Sequence, residues 1–276
     1  MRESFASRAP ELTLGLGVLA LAALLAFAAP LIVAGDPLDI VGPPLAAPFA
    51  DAARPLGTDR LGRDILAGLL YGARSTLLTA GAVAAIALIA GACVGALAGT
   101  FGGALDEVLM RLADAVQTVP AFVLALALVS VLGSSQGTLI AALAAGAWTG
   151  PARVVRAEVL SVKERAFVDA SRLIGRPRLA IAFQVVLPNA LSALTALSAI
   201  IVAGAILSEA ALSFLGFGNP NAASWGAMIA EGRSVLRTAP HVIIAPGLAV
   251  TATVLTVSLI GEGAARLFAP QGEGSA

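Results

Sequence analysis

Residues 115–152 contain no Asp, Glu, Lys or Arg, and residues 12–34 contain none either. A helix rises about 1.5 Å per residue and a bilayer core is about 30 Å thick, so about 20 apolar residues cross it. The first run is too long for one crossing and long enough for two, while the second suits one. Composition agrees: 58% of residues are hydrophobic and only 12% charged, with a mean hydropathy of +0.93. Soluble domains carry about 25% charged residues, so an ordinary soluble fold is excluded.

Six spans are expected in an all-α integral membrane protein: 12–34, 77–100, 119–132, 138–154, 191–216 and 242–260. A cleaved leader is the alternative for 12–34, but its apolar part would be about 7–15 residues, shorter than this run. Phe101-Gly102-Gly103 and Gly133-Ser134-Ser135-Gln136-Gly137 mark turns between spans. Asp106, Glu107, Arg111 and Asp114 fall at helical steps on a short helix and read as a solvated face. Trp225 reads as an interfacial aromatic.

Lys and Arg concentrate in loops on the cytoplasmic side. With the N-terminus inside, the inner loops hold eleven of the seventeen basic residues and the outer loops six. The expected organisation is a cytoplasmic N-terminus 1–11, a first span 12–34, an external proline-bearing segment 35–73, a transmembrane domain 74–266 with a cytoplasmic loop 153–189, and a cytoplasmic tail 267–276.

The loop 153–189 holds seven of the basic residues. Val159, Val162, Ala166, Ala170 and Leu173 form one helical stripe, and Glu158, Arg165, Asp169, Arg172 and Arg176 another, which predicts an amphipathic helix. Gly175 is placed to end it in a left-handed cap, and Arg176 before Pro177 is biased to extended backbone. A second short helix, 178–186, follows before Pro188 opens the fifth span. Two readings stand on physics alone: a helix on lipid headgroups, or one seated in a protein cleft, which the mixed acids and arginines of its polar face suit better.

Several chemistries lack their residues. The lone Cys93 permits no internal disulfide and reads as packing, and the lone His241 lacks company for zinc or a triad. The only lysine, Lys163, is followed by Glu164, so no phosphate loop of the G-x-x-x-x-G-K-[ST] type exists. Zero formal net charge argues against a nucleic-acid partner. Glu209 is the acid inside an apolar span; a gate or substrate role and a structural contact to a neighbouring helix both remain open. Asp59, Arg60, Arg63 and Asp64 outside suit a binding-protein contact or a loop paired with itself. A passive channel or secondary carrier is the alternative class, though neither intramembrane charges on several spans nor an internal repeat is evident.

Asp169-Ala170-Ser171, Gly175 and Leu187-Pro188-Asn189 resemble the glutamate-alanine-alanine motif of the membrane subunits of bacterial ABC importers. Leu56-Gly57-Thr58-Asp59-Arg60-Leu61-Gly62-Arg63-Asp64, Leu70-Tyr71-Gly72-Ala73-Arg74, Phe101-Gly102-Gly103, Met110-Arg111-Leu112, Ser224-Trp225-Gly226 and Glu209-Ala210-Ala211-Leu212-Ser213-Phe214-Leu215-Gly216 extend the likeness to the second permease subunit of dipeptide, oligopeptide and nickel importers. Asp169 and Ser171 stand where the family usually has glutamate and alanine, and Gln184 where a basic residue is common. The resemblance implies a type I importer fold in the cytoplasmic (inner) membrane and no cofactor on this chain, with ATP and Mg held by partners. The implied partners are a second homologous permease subunit, two cytoplasmic ATP-binding subunits, an external substrate-binding protein and the lipid bilayer. It also implies a coupling helix that meets the ATPase through Glu164, Arg165, Asp169, Ala170, Arg172 and Gly175.

Overall fold

The computed structural model describes residues 10–33, 35–191 and 193–268, and among these the chain is helical with no strand. Five helices are long and apolar enough to cross a membrane, and a sixth crossing exists if two helices bent by 78° form one broken span. The expected 1–11 terminus lies largely outside the described residues, as does most of the 267–276 tail.

α1 (Pro10–Phe27) ends before the predicted residue 34, and α2 (Ala29–Ile32) restarts the chain with Pro30 in its first turn. Proline has no amide hydrogen and obstructs the preceding turn, so Pro30 sits in the first turn of a new short helix instead of continuing α1. α1 lies along α13 (His241–Phe268), where Gly15 faces Thr256 and Ile260, Gly263 faces Leu12, and Glu11 pairs with Arg266. α13 itself runs past the expected end at residue 260.

α3 (Ile65–Phe101) has 37 residues, about 55 Å, and so projects beyond a bilayer core of about 30 Å. It starts well before the predicted residue 77, and the expected 73/74 boundary falls inside it. Asp64 caps it, its carboxylate accepting from the Leu66 amide at 2.9 Å. Arg74 does not end the span, because its guanidinium lies over the Phe27 ring at 5.8 Å. The preceding segment is a folded cap: Thr58 donates to the Pro43 carbonyl at 2.6 Å and accepts from the Ala46 amide at 2.9 Å.

α4 (Gly103–Gln117) exceeds the short helix expected there. α5 (Ala121–Leu132) has 12 residues, about 18 Å, too short to cross alone, so the expected third span 119–132 becomes the second limb of the pair bent near Pro120. α6 (Gln136–Ala147) and α7 (Thr149–Lys163) together form one crossing, so the helix continues to Lys163 instead of giving way to a loop at Arg153. α8 (Ala166–Leu173) and α9 (Arg178–Ile181) follow, then a π-helical turn Ala182–Val186 and α10 (Leu187–Leu191). Pro188 thus sits in α10, and the fifth span is α11 (Leu194–Phe214). α12 (Trp225–Gly232) lies between α11 and α13.

The main core joins Ala80 and Val83 of α3, Val129 of α5, Ile206 and Leu212 of α11 and Val257 of α13. A second cluster, at the end bearing the elbow between α7 and α8, joins Val155, Val159, Val162, Val168, Ile181 and Val186. Large apolar side chains such as Leu21, Ile89 and Leu255 remain exposed outside both, as a lipid-facing surface requires. Cys93 is among the exposed residues, contrary to a packing role within the chain.

Candidate functional site

The sequence predicts one amphipathic helix from Val159 through Leu173, but the chain breaks it at Glu164-Arg165. The amides of these two residues donate to the carbonyls of Ser161 and Val162 at 3.2 and 3.1 Å, a three-residue return that ends α7. α8 starts afresh, with the Val168 and Asp169 amides donating to the Arg165 carbonyl at 2.9 and 3.4 Å. The stripe therefore divides. Val159 and Val162 belong to α7, and the anchor of α8 is Val168, fully buried against them and against Ile181 and Val186. Leu173, placed on the apolar stripe, is 88% exposed.

Glu164, Arg165, Asp169, Ala170 and Gly175 are all exposed on this elbow, and Arg165 reaches back to Glu158 at 3.6 Å. The side chain of Arg172 lies outside the described residues. Gly175 has φ +77°, the expected left-handed stop, and the Arg176 amide donates to the Ser171 carbonyl at 3.3 Å before the chain turns through Pro177. α8 thus presents one face outward while Val168 fixes the other.

What α8 is fixed to is stiff. Gly91, Gly95 and Gly99 form a four-residue-spaced stripe on α3 against α7. A Cβ at Gly95 would lie 2.3 Å from the Ala152 carbonyl oxygen, and one at Gly91 2.6 Å from that of Trp148, so the two backbones are in direct contact. Lys163 donates to the carbonyls of Gly99 and Thr100 at 2.9 Å each, satisfying the C-terminal end of α3. Asp106 receives both nitrogens of the Arg156 fork at 2.5 and 2.6 Å, and Asp114 pairs with Arg153. Asp106 leaves the solvated face expected of these acids, whereas Asp114, though paired, stays exposed, as does Glu107 near Arg111 at 3.9 Å. The pairing of Asp106 and Asp114 explains why α7 continues through Arg153 and Arg156.

At the opposite end, Glu209 is 2% exposed. It accepts from Thr76 of α3 at 3.1 Å and from Ser213 at 2.7 Å, and the Ser224 hydroxyl lies beside the same carboxylate. Ser224 also caps α12 by accepting from the Ala227 amide at 3.2 Å. Trp225 is buried, its indole N–H donating to the Leu69 carbonyl at 3.0 Å, and does not lie exposed at an interface. The carboxylate thus joins α3, α11 and the entry of α12, which favours the structural-contact reading.

The four outer residues divide as well. Asp59 accepts from the Leu61 and Arg63 amides at 2.8 Å each and Asp64 caps α3, so both shape the chain itself. Arg63 pairs with Glu231 at 3.2 Å and Arg60 approaches the Ser234 hydroxyl at 3.5 Å, joining the cap to α12 and the turn after it. Burial pushes the carboxyls of Asp64 and Glu231 above their usual range; the helix amides oppose this for Asp64 and Arg63 for Glu231. His241 is half-buried, with Nε2 unpartnered among the described residues. No group of acids, His and Cys among them could hold a metal ion.

Residues 91–271 match the family described as binding-protein-dependent transport system inner membrane component. The chain belongs to this permease family. A probable peptide ABC transporter permease protein of Sinorhizobium fredii is 41% identical over 96% of this chain and 91% of its own length. A di/tripeptide transport system permease protein of Pseudomonas aeruginosa is 38% identical over 75% and 69%, and an oligopeptide transport system permease protein of Haemophilus influenzae is 34% identical over 79% and 70%. A chain of the MetNI methionine ABC transporter, solved in inward-facing conformations, superposes with a TM-score of 0.61 at 20% identity, covering 72% of this chain and 95% of that one. That likeness shows the type I importer permease fold.

In this permease, the Ala- and Gly-rich second span already suggests close helix approach, but Val168, the individual glycines Gly91, Gly95 and Gly99, and Lys163 as a cap are not singled out by that expectation. The stripe was visible as G-x-x-x-G repeated in an apolar run, the pattern that brings membrane helices into contact. Val168 carried no such signal, because assuming a single helix through 164–165 put other residues on the buried face.

Proposed function

We propose that this permease forms half of a translocation path with a second, similar membrane subunit. It admits peptides or a related small solute delivered by an external substrate-binding protein, and is driven by two separate ATP-binding subunits. Both termini and the elbow face the cytoplasm of a bacterial cell, as the excess of Lys and Arg in those loops supports. ATP and its Mg are held by the partners, since the sequence has no phosphate loop. The solute class rests on relatives named as peptide, di/tripeptide and oligopeptide permeases.

One observation carries the reading: α8 is exposed on its outer face yet locked through Val168 to the body made by α3 and α7. A subunit gripping Glu164, Arg165, Asp169, Ala170 and Arg172 therefore moves two membrane-crossing helices with it. Gly175 sets the return of the chain, and at φ +77° a β-branched residue is strained. The test is Gly175→Val in proteoliposomes containing the partner subunits and binding protein. ATP hydrolysis with loss of peptide uptake is expected, and normal uptake would refute the coupling role. Solute flux through the permease without ATPases would support a passive channel or carrier instead.

A further inference from the structure

Two adjoining hollows flank the elbow end of α3. One, of about 600 Å³, is lined by Thr100, Lys163, Val168, Arg176, Ala182 and Val186, and the charged residues lining it among the described ones, Lys163 and Arg176, are cations. The other, of about 390 Å³, is an apolar groove on the flank of the same helix, lined by Cys93, Leu97, Phe101, Phe183 and Leu187. Thr100 and Ala182 line both, so the basic hollow continues into the apolar groove. The wall between α9 and α10 is the π-helical turn, a widened backbone geometry that recurs at functional sites and here carries Phe183 into the exposed groove.

We propose that this continuous hollow is a binding site for one anionic phospholipid, its phosphate between Lys163 and Arg176 and one acyl chain along Cys93, Leu97 and Phe183. An ammonium has three donors, and Lys163 commits two to the Gly99 and Thr100 carbonyls, leaving the third for a headgroup. Basic pockets at the ends of membrane helices take anionic headgroups. A free inorganic anion makes no use of the apolar groove, and a zwitterionic lipid brings no net charge to two cations. The site lies between the end of α3 and the helices leading from α8 into the fifth span, so the lipid would brace the elbow that meets the ATPase.

Cys93 is the only cysteine in the chain and lines the groove, so its reactivity reports occupancy. The assembled complex in detergent is alkylated with N-ethylmaleimide, and modification of the Cys93 peptide is followed by mass spectrometry. Dioleoyl phosphatidylglycerol is expected to slow alkylation, and dioleoyl phosphatidylcholine at the same mole fraction to leave it unchanged. Arg176→Gln is expected to raise the half-protecting phosphatidylglycerol concentration about fivefold, the worth of one basic residue near an anionic headgroup. Lys163 is left intact because it also holds α3. Native mass spectrometry provides the second measurement, with one phosphatidylglycerol retained per chain expected. Equal protection by both lipids, or by neither, would overturn the proposal. So would a Cys93 that is unreactive in the lipid-free complex and reactive in the isolated chain, since the second membrane subunit would then cover the groove.

Discussion

Lys163, the last residue of α7, donates to the carbonyl of Gly99 at 2.9 Å and holds the end of α3 against it. Directly beyond that contact the chain turns at Glu164-Arg165 into α8. The sole lysine of the chain thus marks where two packed membrane helices end and the exposed elbow begins.

The glycine contact between these helices predicts opposite outcomes for two alanines on α3. At Gly81 a Cβ meets nothing within 4 Å, whereas at Gly95 it meets the Ala152 carbonyl at 2.3 Å. Gly81→Ala should leave the melting temperature of the purified permease unchanged or higher. Gly95→Ala should lower it, with overpacking costing about 1–3 kcal/mol. Equal melting temperatures would show that α3 and α7 are not in this contact.

Glu209 is expected to act as a junction. Glu209→Gln keeps a group that can pair with Thr76 and Ser213, and should retain both fold and uptake. Glu209→Leu strands those hydroxyls at about 1–3 kcal/mol each, and should lower the melting temperature and folded yield. A solute-handling role would appear instead as Glu209→Gln with an unchanged melting temperature and lost uptake.

Glu231 predicts a pH dependence. Burial raises its folded-state pKa above the ordinary glutamate value of 4.5, so the folded permease binds this proton more tightly than the unfolded chain. Its contribution to stability is fully present below the ordinary value and is lost as pH rises through the raised one; Asp64 shifts in the same direction. Melting temperature should therefore rise on acidification across that window, and by less in Glu231→Gln. An identical pH profile in the variant would contradict this.

Much of this was legible in the sequence. Charge-free runs located the spans, Gly175 announced a stop, and the spaced motifs pointed to the family. The misplaced boundaries at Arg74 and Arg153 share a cause, since a charged residue read alone looks like the end of a span until the partner that neutralises it is known. Arg74 rests on Phe27, Arg156 meets Asp106 and Arg153 meets Asp114, so helices continue through charges that appeared to end them. The break at Glu164-Arg165 was hidden because hydrophobic spacing continues across it, and only the tertiary clamp on Val168 reveals which face is buried.

Movement of α8 should reach the membrane helices through Val168, and Val168→Asn probes that link. The substitution leaves Glu164, Arg165, Asp169 and Ala170 on the outer face but places an amide where the native side chain is fully buried. Uptake per ATP hydrolysed is measured in proteoliposomes with the partner subunits. The expected result is that the ATPase subunits still copurify and hydrolyse ATP while this ratio falls about tenfold, equivalent to about 1.4 kcal/mol of lost coupling. An unchanged ratio with bound, active ATPase would contradict the account.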